Sequence, residues 1–144
     1  MESKLHEAIT ESPLFKHLEE DWVGRILDQT EERDYEESEI IIHEGRPVSH
    51  LFIVLEGRVR VSTESDGREV ELKNLGPGAY FGEVSLLSGK DATATVEAKS
   101  DAVELAAIER EVVVELVKSD ERIRKMLEGV TLARAKDTIG KVLE

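Results

Sequence analysis

The chain has 144 residues, 40% of them hydrophobic and 35% charged, a balance that fits one folded domain with a substantial core. It has no cysteine, which excludes a disulfide framework or a thiolate metal site. Its net charge of −13 works against nucleic-acid binding, which draws its affinity from Lys and Arg on phosphates.

In chain order, the first predicted element is a helix. Ser12 and Pro13 fit a cap and a first helical position. Leu14, Phe15, Leu18, Trp22, Val23, Ile26 and Leu27 then recur at spacings of three and four, as one apolar helical face requires. The acidic run 30–39 predicts a solvated connector, so residues 1–39 are expected to form an N-terminal helical segment. From Ile40 the pattern changes to short strands, expected at Ile40–His43, Leu51–Leu55, Arg58–Ser62, Val70–Leu72, Thr93–Ala98 and Ala102–Ile108. Ser65-Asp66-Gly67 is a hairpin signal between two of them. Short strands at such regular intervals over 40–108 predict a barrel or sandwich closed by helices.

Helix returns after Ile108. Val112, Val113, Leu116 and Val117 make one amphipathic piece. Ser119-Asp120-Glu121 predicts the start of a longer helix with Ile123, Met126, Leu127, Val130, Ala133, Ile139, Val142 and Leu143 on it. There is no internal repeat, low-complexity tract or linker, and residues 1–144 read as one domain. No apolar run nears the roughly 20 residues that cross a bilayer, and the first residues lack the order of a signal peptide. A cytoplasmic location with no membrane and no direct nucleic-acid partner is the expectation.

The most informative stretch runs from Phe81 to Val96 and predicts a glycine turn, one helical turn, a polar loop and a strand. Unpaired N–H groups at the start of a helical turn can cradle an anion. Gly82 answers equally to turn geometry and to close approach of a ligand, and Glu83 to a structural or a ligand-binding carboxylate. Leu86 and Leu87 are expected in the core.

Several further pieces stand in order around it. Ser12-Pro13-Leu14-Phe15 opens the series, followed by His43-Glu44-Gly45, the run Leu51 to Val61 around Gly57, and Gly76-Pro77-Gly78-Ala79-Tyr80-Phe81-Gly82-Glu83. With them the chain closely resembles the cyclic nucleotide-binding domain family, found in catabolite activator-type regulators, protein kinase A regulatory subunits and gated channels. The resemblance covers Ser12 to about Glu144 and implies a mainly β fold. This is a double-stranded β-helix, the jelly-roll-like β-roll, with N-terminal helices and C-terminal B and C helices over 109–144. It implies a cyclic nucleotide ligand, cyclic AMP or cyclic GMP, held by the cassette 81–96. The implied site residues are Phe81, Gly82, Glu83, Val84, Ser85, Ala92 and Thr93, with Glu83 receiving a ribose 2′-hydroxyl; Lys90 joins them as a candidate.

One departure limits this. Ala92 stands where the family carries an arginine against the cyclic phosphate, and Asp91 beside it adds repulsion. Losing one partner of a buried charge pair costs about 2–5 kcal/mol, roughly thirty- to several-thousand-fold in affinity. Lys90 swinging into the vacancy is one rescue; Thr93 and the cradle N–H groups holding a weaker or different ligand is another. Two functions stay open: a non-catalytic sensor module that binds a cyclic nucleotide weakly or another small ligand, and a protein-interaction module that kept the fold and lost the nucleotide. Either allows a protein effector. Ile139, Val142 and Leu143 are candidates for a homodimer seam on the C-terminal helix, and no DNA-reading domain is expected after that helix.

No other constellation carries chemistry. His6, His17, His43 and His50 lack ligand spacing, and Ser85 in Glu-Val-Ser-Leu-Leu is no nucleophile elbow. No enzyme is expected.

Overall fold

The computed structural model describes residues 4–129. Helix α1, Lys4–Glu11, is followed by a tight turn and helix α2, Glu20–Asp28. The single helix expected from Ser12 is therefore two helices, and the reason is local. The Ser12 N–H completes α1 by reaching the carbonyls of Ala8 and Ile9, while Pro13 has no N–H to continue it. Ser12 is also buried, and its Oγ accepts from the Leu14 N–H at 3.3 Å, closing a turn that buries Leu14 and Phe15.

The acidic run is a second correction. Residues Thr30–Glu36 form strand β1, paired antiparallel with the last strand of the roll from Thr30↔Ile108 to Glu36↔Ala102. Its acidic side chains face water along a sheet edge, where charge discourages pairing with another chain.

The remaining strands are β2 Ile40–Ile42, β3 His50–Glu56, β4 Val59–Ser65, β5 Arg68–Leu75, β6 Tyr80–Phe81, β7 Thr95–Ala98 and β8 Ala102–Glu109. Six match the expected strands, while β5 is longer and β7 starts two residues later than the pattern indicated. Asp66 and Gly67 both take positive φ, 54° and 75°, in the two-residue turn of the β4–β5 hairpin. The strands form two four-stranded sheets, β1-β8-β3-β6 and β2-β7-β4-β5. This is the antiparallel β-roll with flanking helices.

Strands β3 and β8 are buried on both faces, which explains their near-continuous apolar runs. On β3, Leu51, Ile53 and Leu55 point to the helices, whereas Phe52 and Val54 point into the roll. The helix-side cluster gathers Ile9, Leu14, Phe15, Ile26, Ile108, Leu116, Ile123 and Leu127. The roll-side cluster gathers Ile42, Val59, Phe81, Ala92, Val96 and Leu105, with Phe52 and Phe81 stacked at 5.1 Å between ring centroids.

Between the sheets' ends lies helix α3, Glu83–Ser88, and after β8 comes α4, Arg110–Ser119. Residues 121–129 are again helical. Asp120 starts this segment, its Oδ1 accepting from the N–H groups of Arg122 and Ile123, so the expected cap is realised. Ile123, Met126 and Leu127 pack on the helix-side cluster. Val130, Ala133 and the candidate seam residues Ile139, Val142 and Leu143 lie outside the described residues.

Candidate functional site

The site forms where β6 stops and α3 begins. Gly82 has φ of 95°, and a Cβ there would come within 2.9 Å of the His50 carbonyl oxygen. Glycine at this position thus serves a reversal pressed against β3. The Leu86 N–H bonds the Gly82 carbonyl, and Gly89, at φ of 74°, ends the helix with its N–H on the Ser85 carbonyl. This short helix has two differently occupied faces. Glu83 and Ser85 face a concavity over the second sheet, while Leu86 enters the helix-side cluster.

The concavity is partly enclosed and opens to solvent on one side. Its walls are mainly apolar, with Ile42, Val48, Val61, Leu72, Leu75, Phe81, Val84, Ala92, Ala94 and Val96. The polar lining consists of Lys73, Glu83, Ser85 and Thr93. Glu83 is 0% exposed, an unusual position for a carboxylate and one that takes it out of bulk water.

The loop leading to β7 is tied down by its backbone. Ala92 donates its N–H to the Arg46 carbonyl and accepts from the Gly45 N–H, both at 2.8 Å, which turns its methyl group into the roll-side cluster. The buried Thr63 hydroxyl lies 2.9 Å from Glu44 Oε1 and 3.2 Å from the Thr93 carbonyl, while the Glu44 N–H donates to Thr95 Oγ1. Turn 43–46, strand β4 and loop 91–95 are thereby linked on one side of the concavity.

Of the residues singled out from sequence, Phe81, Gly82, Glu83, Val84, Ser85, Ala92 and Thr93 come together as its lining. Lys90 does not: it is exposed, outside the lining, with its backbone N–H on Ser88 Oγ. Asp91 is exposed and outside it as well. The lining lysine is instead Lys73 of β5, which sequence reasoning missed together with Leu72, Leu75, Val61 and Ile42. Alternation along β4 and the first part of β5 was the available signal for Val61 and Leu72. Nothing local marked Lys73 as inward-facing. Among the described residues no group of three His, Asp or Glu side chains could hold a metal ion.

Comparison with known proteins matches this geometry. The family model described as the cyclic nucleotide-binding domain matches residues 32–120. The chain is 35% identical over 118 residues to cGMP-dependent protein kinase 2 of Homo sapiens, covering 81% of this chain and 16% of that protein. In three dimensions it is similar to the regulatory domain of Toxoplasma gondii PKA with cAMP, with a TM-score of 0.70 and 32% identity. That likeness covers 76% of this chain and 41% of the other. It is also similar to the Thermus thermophilus catabolite activator protein, with a TM-score of 0.71 and 32% identity over 90% of this chain and 60% of that one. The chain thus spans only part of each of these relatives. The β-roll, the glycine reversal into α3 and the family match over most of the roll lead to one conclusion: the chain belongs to the cyclic nucleotide-binding domain family.

Proposed function

We propose that this chain is a non-catalytic sensor module, cytoplasmic, that takes a small ligand in the concavity beneath α3 and signals to a protein effector through its C-terminal helices. The ligand class favoured is a cyclic nucleotide, cyclic AMP or cyclic GMP, held more weakly than in relatives that carry the cassette arginine. The observation that carries this reading is the buried Glu83 facing an open, mostly apolar concavity. A carboxylate withdrawn from bulk water is a strong acceptor for ligand hydroxyls, and the apolar walls suit a flat base and a sugar.

A route for the signal is present in α3 itself. Its Glu83 and Ser85 face the concavity, whereas Leu86 packs with Leu116, Ile123 and Leu127, and Arg110 Nε of α4 donates to the Leu86 carbonyl at 3.2 Å. Displacing α3 by occupancy therefore displaces what α4 and residues 121–129 rest on. A ligand shifts that equilibrium only by its difference in affinity for the two arrangements. A homodimer seam at Ile139, Val142 and Leu143 belongs to the same reading.

Ala92 favours the second reading, a protein-interaction module without nucleotide. Calorimetric titration of cyclic AMP and cyclic GMP into the native chain and an Ala92→Arg variant separates the two. Binding by the native chain supports the sensor. Silence from the native chain, with binding by the variant, supports a fold that kept its concavity and lost its anchor. Silence from both sinks the nucleotide reading.

A further inference from the structure

We infer that Lys73 supplies the positive charge for the anionic part of the ligand, in place of the loop position that Ala92 occupies. This rests on the nucleotide reading above and deepens it.

The placement of Lys73 follows from the register of the second sheet. Val61 pairs with both Lys73 and Val96, and Val96 pairs with Ile42, so Ile42, Val96, Val61 and Lys73 form one row across four strands. All four line the concavity. A β-bulge sends the lysine there. The β4–β5 register shifts between Val61↔Lys73 and Ser62↔Glu71, leaving Leu72 without a partner. Glu69 and Glu71 reach the outer face, where both pair with Arg60, and an unbroken strand would send residue 73 the same way. The extra residue inverts the alternation, so Leu72 and Lys73, adjacent in sequence, both face inward.

Charge on the two faces differs in the same sense. On the outer face Arg60 takes Glu69, Glu71 and Glu97 as partners. Lys73 has no ion-pair partner among the described residues, in a chain with 32 acidic and 19 basic side chains. Among the described residues it is the sole basic member of the lining, and Glu83 is the sole acidic one. The Ala92 side offers a methyl group and an N–H already committed to Arg46. Strands β5 and β7 stand two spacings apart, about 10 Å, so Lys73 enters the concavity from the side opposite β7 and the loop that carries Ala92, while Glu83 enters it from α3. An ammonium is a mobile donor on a four-carbon stem, suited to meeting a phosphate as a point charge. A ligand with hydroxyls at Glu83 and its anion at Lys73 engages both charged groups of the lining.

The test is calorimetric titration of cyclic AMP and cyclic GMP into the native chain and into Lys73→Gln, Lys90→Gln and Ala92→Arg, at low and high salt. Lys73 is exposed and has no ion pair among the described residues, so Lys73→Gln should keep the native unfolding midpoint, checked in urea. The expected result is binding by the native chain that weakens about ten- to a hundredfold for both nucleotides in Lys73→Gln and loses its salt dependence there. Equal affinity in Lys73→Gln, or a loss found only in Lys90→Gln, overturns the inference. So does a loss confined to cyclic GMP, because the two nucleotides share the phosphate and differ in the base. A silent native chain beside a binding Ala92→Arg also overturns it and supports the module that kept its concavity and lost its anchor, whereas equal affinity in Lys73→Gln overturns the inference and leaves the nucleotide reading standing. Silence in both removes that reading and the inference together.

Discussion

The roll separates two apolar clusters that share strands β3 and β8 but differ in how they are closed. The helix-side cluster is sealed at its centre: Ile9, Leu51, Ile53, Ile108, Ile123 and Leu127 are each 0% exposed, and its buried side chains are all hydrocarbon. The roll-side cluster is open along one wall, where Val61 and Leu75 are only partly buried and Glu83, Ser85 and Thr93 join it at the concavity. A sealed cluster stabilises in proportion to the apolar area it withdraws from water. An open one gives up part of that stabilisation and keeps a space for something else. The buried carboxylate Glu83 lies at the open cluster, which is why function is sought there and stability in the other.

The largest expected effect tests the sealed side. Ile53→Ala removes a side chain of 0% exposure from the middle of β3, and should cost about 2–5 kcal/mol in urea unfolding. Val61→Ala on the wall of the concavity should cost about 1 kcal/mol, since its methyl groups are already partly in water. Equal costs would break the comparison and mean that the roll-side cluster is closed in solution.

Next in size is the reversal that joins the two clusters. Gly82→Ala puts a side chain at φ of 95° with its Cβ 2.9 Å from the His50 carbonyl. About 1–3 kcal/mol of strain is expected from the backbone alone, read as a lowered unfolding midpoint. The His50 carbonyl belongs to β3 and cannot retreat without disturbing its pairing with β8. An unchanged midpoint would show that the reversal yields easily, and α3 would then be a poor lever between concavity and helices.

How much of this was legible in the sequence follows from what each feature depends on. The β4–β5 hairpin was readable because Asp66 and Gly67 carry their own turn conformation, and Asp120 because a cap is a local hydrogen bond. The inward-facing cassette residues were readable from their order around Gly82. Strand β1 was not, because Thr30–Glu36 is acidic and owes its extended form to backbone bonds supplied by β8, more than sixty residues away. Lys73 was illegible for a related reason. Alternation alone puts it outward with Glu69 and Glu71, and only the pairing of two strands shows the bulge at Leu72 that turns it inward. Lys90, near Ala92 in sequence, drew attention by proximity along the chain, whereas proximity across the sheet favours Lys73.

The smallest effect concerns His50, at the start of β3 on the far side of the Gly82 reversal. Burial holds its imidazole below the ordinary value of 6.5, and the charge of Arg33 adds to this against the opposing pull of Glu31 and Glu109. Geometry agrees. Arg33 Nη2 lies 3.4 Å from His50 Nε2 and so requires a lone pair there, while Nδ1 is 2.6 Å from Ser49 Oγ. Protonating Nε2 replaces that contact with two like charges facing each other from β1 and β3, the strands on either side of β8. With the folded value depressed, the unfolded chain binds the proton more readily. Stability from this residue is therefore complete above about 6.5 and is lost as pH falls through the folded value. Native protein should lose unfolding midpoint between about pH 7.5 and 5.5 more steeply than His50→Gln, in which position 50 no longer titrates. Parallel slopes in the two proteins would mean that His50 feels neither its burial nor Arg33. The backbone that presses on Gly82 would then carry no pH dependence from this side chain.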